Sequence, residues 1–210
     1  MTYNLIGVGN NAKTIKGDGS EYMTAIMYLK PHKTMWKGKV RNICPMADKA
    51  GCVEGCLNTA GRGVMSNVQA GRLRKTELLF EDRKHFINLL KTDITVFNRR
   101  TINRAIQPCV RLDGTSDNQF ERFGIMEQFP AVQFYDYTKI VKRAYKKLPS
   151  NYHLTLSYSE ANHEYANEVR QAVDDTGVNM AVVFGVKSAD DFPATCLLYT
   201  SDAADDLLCV

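Results

Sequence analysis

"YHLTLSYSEANHEYANEVRQAVDDTGVNMAVVFGV", Tyr152–Val186, decides the fold class. It opens with a short apolar run that alternates with polar residues, the pattern of a strand. It continues through "HEYANEVRQAVDD", whose apolar residues recur at helical spacing, and Gly177 closes that helix. A second apolar run of strand length, "NMAVVFGV", follows. Strand, helix and strand in this order form a βα unit, and repeated units of this kind build a parallel sheet.

Working back toward the N-terminus, the same rhythm returns. "AVQFYD" (131–136) reads as a strand, and "YTKIVKRAYKKL" (137–148) as a helix with Ile140, Val141, Ala144 and Leu148 inward. "PCVRLDGTSD" (108–117) is a strand that ends in a polar turn. Before it, residues 67–103 read as one long helical segment with Leu79, Phe86, Leu90, Ile94 and Phe97 on one face and a break near Gly71. "TAIMYLKP" (24–31) is the first clear strand, stopped by proline. The expected fold is therefore α/β, a parallel sheet of βα units forming a partial or truncated barrel. In such sheets ligands gather at the carboxyl ends of the strands. The polar strand ends "DGTSD", "YDYTK", "SYSEAN" and "GVKS" are expected on one rim.

The bulk properties narrow the class. The chain has 210 residues, 44% of them hydrophobic and 24% charged, enough for one domain with a sizeable core. No run of about eighteen apolar residues occurs, so no membrane span is expected. The first residues lack the apolar core of a signal peptide, and the expected location is the cytoplasm, that of the host cell if the protein is viral. Cysteines there stay reduced. The net charge of +4 is uneven: residues 1–111 carry nineteen Lys and Arg against eight Asp and Glu, and residues 112–210 carry eight against fifteen. The basic half is a candidate surface for nucleic acid; the plain alternative is a solvated surface whose halves attract each other.

The chemistry concentrates in "NICPMADKAGCVEGCLNTAGRG", Asn42–Gly63. Cys44 and Cys52 are separated by seven residues, Cys52 and Cys56 by three. Three thiols on a loop rich in glycine suit a soft or borderline metal. A closed zinc site needs four ligands, and no second cysteine pair is present. A [4Fe–4S] cluster held by three cysteines leaves one iron for a small molecule such as S-adenosylmethionine, and Gly51 and Gly55 let backbone amides approach the sulfurs. Packing as small core residues is the remaining alternative, and the polarity of the loop speaks against it. Candidate metal ligands are Cys44, Cys52 and Cys56.

Candidate ligand contacts follow from the rim. Asp113, Gly114, Thr115, Ser116 and Asp117 form a polar turn suited to amine or hydroxyl groups, or to capping the next element. Gly61 and Gly63 of "AGRG" let backbone approach a phosphate or carboxylate, with Arg62 between them as charge partner and Asn58 just before them as a further contact. Glu160 and Asn162 stand at the end of the later strand, as ligand contacts or helix caps. His153 reads as a packed or solvated strand histidine, and Cys109 as a core residue.

The last fifteen residues, "CLLYTSDAADDLLCV", resemble the translated read-through of a sequencing adaptor. The expectation is a single domain over residues 1–195, with the cysteine loop at 42–63, and a non-native tail at 196–210. Cys196 and Cys209 would then carry no chemistry.

On "GVGNNAKT", "CPMADKAGCVEGCLNTAGRG", "RLRKTELLFED", "VRLDGTSD" and "YHLTLSYSEAN" the chain resembles a bacteriophage family of unassigned function, gene product 88. More loosely, a cysteine triplet after the first strand and a Gly-containing acidic turn after the next are similar to radical S-adenosylmethionine enzymes. In those the usual triplet spacing is three then two residues. That likeness implies a cluster on Cys44, Cys52 and Cys56, and a cofactor amine at the "DGTSD" turn. Two functional expectations result: an iron–sulfur phage protein of radical S-adenosylmethionine type, or a zinc-stabilised nucleic-acid-binding phage protein without catalysis.

Overall fold

A computed structural model describes residues 5–8 and 21–184. The region "GVKS" and the adaptor-like tail lie outside the described residues. A six-stranded sheet forms the centre. Its strands are β1 (Ile6–Val8), β2 (Tyr22–Met27), β5 (Gln107–Arg111), β6 (Gln133–Thr138), β7 (Tyr152–Ser157) and β8 (Asn179–Ala181), adjacent in that order. β1 runs antiparallel to β2, and every other pairing is parallel. The parallel strands thus follow one another across the sheet in chain order. Among the described residues the sheet is open, with β1 and β8 as its edges.

Period-two alternation sets the two faces. Along β6, Phe134, Asp136 and Thr138 are buried while Gln133, Tyr135 and Tyr137 stay half-exposed. Along β7, Tyr152, Leu154 and Leu156 are buried and His153 is exposed. One face is covered by α1 (Ser66–Glu81) and α2 (Arg83–Ile102), and by α4 (His163–Thr176) at the far end. Phe86, Leu90, Ile94 and Phe97 of α2 join Ala25, Met27, Val110, Phe134 and Leu154 in the main core. Leu156, Tyr165, Val169, Ala172 and Met180 form a second cluster, which Ala50 of the cysteine loop enters.

The expected long helix is two helices, broken at Asp82 and not at Gly71. The Asp82 carboxylate accepts from the amide of His85 at 2.9 Å, which caps α2 and stops α1. Gly71 sits inside α1. The helix expected over 137–148 is absent. β6 runs on to Thr138, and only a 3-10 turn, Val141–Arg143, follows. Arg143, which the helical reading did not count among the inward residues, is 0% exposed. Asp117 and Glu121 draw its guanidinium inward, and those long-range ion pairs outweigh local helix propensity.

A hairpin that the sequence did not announce joins β3 (Lys33–Trp36) and β4 (Lys39–Asn42). Lys37 and Gly38 at its tip both have positive φ, 46° and 73°, the two-residue turn that matches strand twist. α3 (Ile125–Gln128) is a single turn that buries Ile125 and Met126.

Candidate functional site

The cysteine loop begins at the end of β4. The Cys44 amide is held by the Asn42 side chain at 2.8 Å, and the chain then winds through a tight turn, Ala50 amide to Met46 carbonyl at 2.8 Å and Cys52 amide to Ala47 carbonyl at 3.1 Å. Gly51 has a φ of +63°, and a Cβ there would come within 2.5 Å of the Ala161 Cβ, so glycine alone lets the loop seat against the β7–α4 turn. On its other side the loop docks on the turn after β5. The Asp117 amide donates to the Ile43 carbonyl at 2.9 Å, and the Cys44 thiol points at the Thr115 carbonyl, 3.8 Å away. The loop that carries Cys44, Cys52 and Cys56 therefore lies at the carboxyl edge of the parallel strands.

The three thiols are half-buried, and Cys44 and Cys52 both feel the charge of Cys56. Burial, joined by the Asp117 charge, pushes the Cys44 thiol up to about 12. Burial also pushes Cys52 up, while Lys139 opposes that shift. The Lys139 ammonium in turn is pushed down by burial; its Nζ rests on the Ser157 hydroxyl at 3.3 Å and over the Tyr165 ring. Arg72, pushed down by burial and stacked on Tyr28, stands near Cys56. Two half-buried cations thus flank the thiols. The donor chemistry fits a thiolate-bound group, which these cations would help to neutralise. As the side chains stand, no three His, Cys, Asp or Glu among the described residues are arranged to hold a metal ion. Cys109 is buried on β5, away from the loop, with its thiol pushed up to about 11 by burial.

The "DGTSD" turn is largely spent on its own structure. Asp113 is 2% exposed; its Oδ1 accepts from the Ser116 hydroxyl and from Asn118 Nδ2, and its Oδ2 is buried without a partner. Burial, and next to it the Asp136 charge, pushes the Asp113 carboxyl well up. Gly114 is required here, since a Cβ would lie 2.7 Å from the Tyr28 ring. The Thr115 hydroxyl donates to the Leu29 carbonyl. Asp117 accepts from Thr138 Oγ1 at 2.7 Å, the Lys139 amide at 2.8 Å and Arg143 Nη1 at 3.2 Å. Arg143 also reaches Glu121 at 3.0 Å and the Tyr152 hydroxyl at 2.6 Å. Burial works against its charge, but Tyr152, Glu121 and Asp117 outweigh burial and hold it firmly protonated.

The other candidates divide. Asn58 faces α1, donating to Gln69 and accepting from Arg72 Nη1 at 2.6 Å. Arg62 is exposed on a 3-10 turn, and Glu160 is exposed. Asn162 caps α4, accepting from the Tyr165 amide at 3.0 Å. Lys139, Arg72 and Arg143 were not among the candidates. For Lys139 the signal was in hand, because it ends the rim segment "YDYTK". A shallow cleft at the opposite edge of the sheet, lined by Glu21, Tyr22, Ala105, Ile106 and Gln107, gathers no set of convergent titratable groups.

Fold and site together define an α/β protein with a mostly parallel sheet and a three-cysteine loop seated on its carboxyl edge. The gene product 88 family model matches residues 4–209, and the chain belongs to that family. No curated protein and no solved structure matches it. Among the described residues no helix is long and apolar enough to cross a membrane.

Proposed function

We propose that this is a phage iron–sulfur protein of radical S-adenosylmethionine type, in which Cys44, Cys52 and Cys56 hold a [4Fe–4S] cluster. One observation carries the reading. Cys44, Cys52 and Cys56 share one loop, seated at the carboxyl edge of five parallel strands that follow one another in chain order, the edge where sheets of this kind bind ligands. When bound, such a cluster supplies one-electron chemistry to S-adenosylmethionine at its open iron. The chain's own residues would do the rest. The loop backbone is already anchored on the sheet edge at Ala50 and Gly51. Arg72 and Lys139 would offset the negative charge of three thiolates. The half-exposed sheet face bearing Tyr135, Tyr137 and Thr155 would line the substrate side.

Anaerobic reconstitution with iron and sulfide tests this. The expected product is brown and holds about four irons per chain, and Cys52→Ala loses both colour and iron. A colourless, iron-free protein overturns the cluster. One tightly held zinc in its place would establish the alternative, a zinc-stabilised loop without this chemistry.

A further inference from the structure

Arg111 ends β5 on the sheet face opposite α2. Val110, just before it, is buried in the core with Phe86 and Leu90 of α2. Strand alternation turns Arg111 the other way. Parallel register sets Val110 beside Phe134, so Tyr135 and Tyr137 share the face of Arg111. On its other side Arg111 is paired with Ile26, which is 3% exposed. The side chain leans along the strand toward the carboxyl edge, where its guanidinium carbon lies 4.8 Å from the centre of the Tyr137 ring.

This guanidinium has donors to spare. The side chain is only 20% exposed, and its Nε is buried without a hydrogen-bond partner. Oδ1 of Asp136 stands 3.9 Å from that Nε, close enough to attract but too far for a hydrogen bond. Among the described residues nothing accepts from the other guanidinium nitrogens. Arg143, by contrast, donates to Asp117, Glu121 and Tyr152. A largely buried arginine normally spends its N–H groups on acceptors, because leaving them dry is costly. An acceptor from outside the chain would complete it.

We propose that Arg111 anchors the carboxylate of a small-molecule ligand that lies along this face of the sheet, with the Tyr137 ring supporting the guanidinium. The fork of an arginine meets a carboxylate through two parallel hydrogen bonds. A carboxylate brings one negative charge toward Asp136, whereas a phosphate monoester brings nearly two, so repulsion from Asp136 favours the carboxylate. As the anchor of a substrate, the site rests on the radical-type function proposed above. As an anion site it needs no cluster.

The test is arginine modification by phenylglyoxal, mapped on peptides of the full chain before and after reconstitution with iron and sulfide. At matched ionic strength, acetate and benzoate should slow modification of Arg111 several-fold relative to chloride, while the exposed Arg100 reacts equally in all three. Arg111→Lys keeps a cation beside Asp136 and loses the fork. It should fold and bind benzoate about tenfold more weakly in calorimetry. Equal modification of Arg111 in chloride and carboxylate, stronger protection by phosphate than by carboxylate, or unchanged benzoate binding by Arg111→Lys overturns the proposal. Protection in a chain that takes up no iron supports the site and strikes only the cluster.

Discussion

The amide of Asp113 donates to Oδ1 of Asp136 at 2.8 Å, and both side chains are buried. Two carboxyls of one sign thus share a site between the ends of β5 and β6. The Tyr152 hydroxyl reaches Asp136 Oδ2 at 3.3 Å, and Arg111 Nε lies 3.9 Å from Oδ1.

That pair makes stability depend on pH. Burial raises the Asp136 carboxyl from its ordinary 3.8 to about 6, and raises Asp113 also. The folded state therefore keeps protons that the unfolded chain releases. The resulting stabilisation is full below the ordinary carboxylate value and is lost as pH rises through the folded value. Stability from this pair should therefore fall as pH rises from 3.8 through about 6. Asp136→Asn retains an acceptor for the Asp113 amide and should flatten this slope in urea denaturation at a series of pH values. An unchanged slope would show that Asp136 titrates normally.

Removing Arg143 should be severe. Arg143→Met leaves Asp117 and Glu121 facing each other without their cation, at an expected cost of about 3–5 kcal/mol. Arg143→Lys should rescue little, because the guanidinium donates to three partners at once. Chemical denaturation of both variants checks this, and full rescue by lysine would contradict it.

The seat of the cysteine loop can be tested by steric exchange. Gly51→Ala should cost about 1–3 kcal/mol and speed alkylation of Cys52, since the new methyl meets Ala161. Adding Ala161→Gly should restore only part of the loss, because the positive φ remains unfavourable. Complete restoration would mean that the backbone there is unstrained.

At the β7–α4 turn, Asn162→Ala should cost about 1 kcal/mol by removing the cap of α4. Glu160→Ala, an exposed change, should stay within about 0.5 kcal/mol. Equal costs in thermal melts would overturn the division of these neighbours into cap and free residue.

Much of the fold is visible in the chain alone. Alternation marks β6 and β7, a cap residue and a left-handed glycine bound α4, and the strand–helix order implies parallel pairing. These are local signals, carried by neighbours along the backbone. The β3–β4 hairpin was missed because its one cue, Lys37-Gly38, is an uncommon form of a two-residue turn. The α1–α2 break was misplaced because Gly71 is a louder breaker than a capping aspartate.

The site divides the same way. Sequence determined that three cysteines share a loop after an early strand, and that polar residues end the strands beyond it. Only the tertiary structure decided which of those polar groups face outward. Asp113 turns in to Asp136, 23 residues away, and Asp117 to Arg143, 26 residues away, while Lys139 and Arg72 are left beside the thiols. Burying a charge is tolerable only with its partner in place, and that partner comes from a distant segment that no local pattern announces.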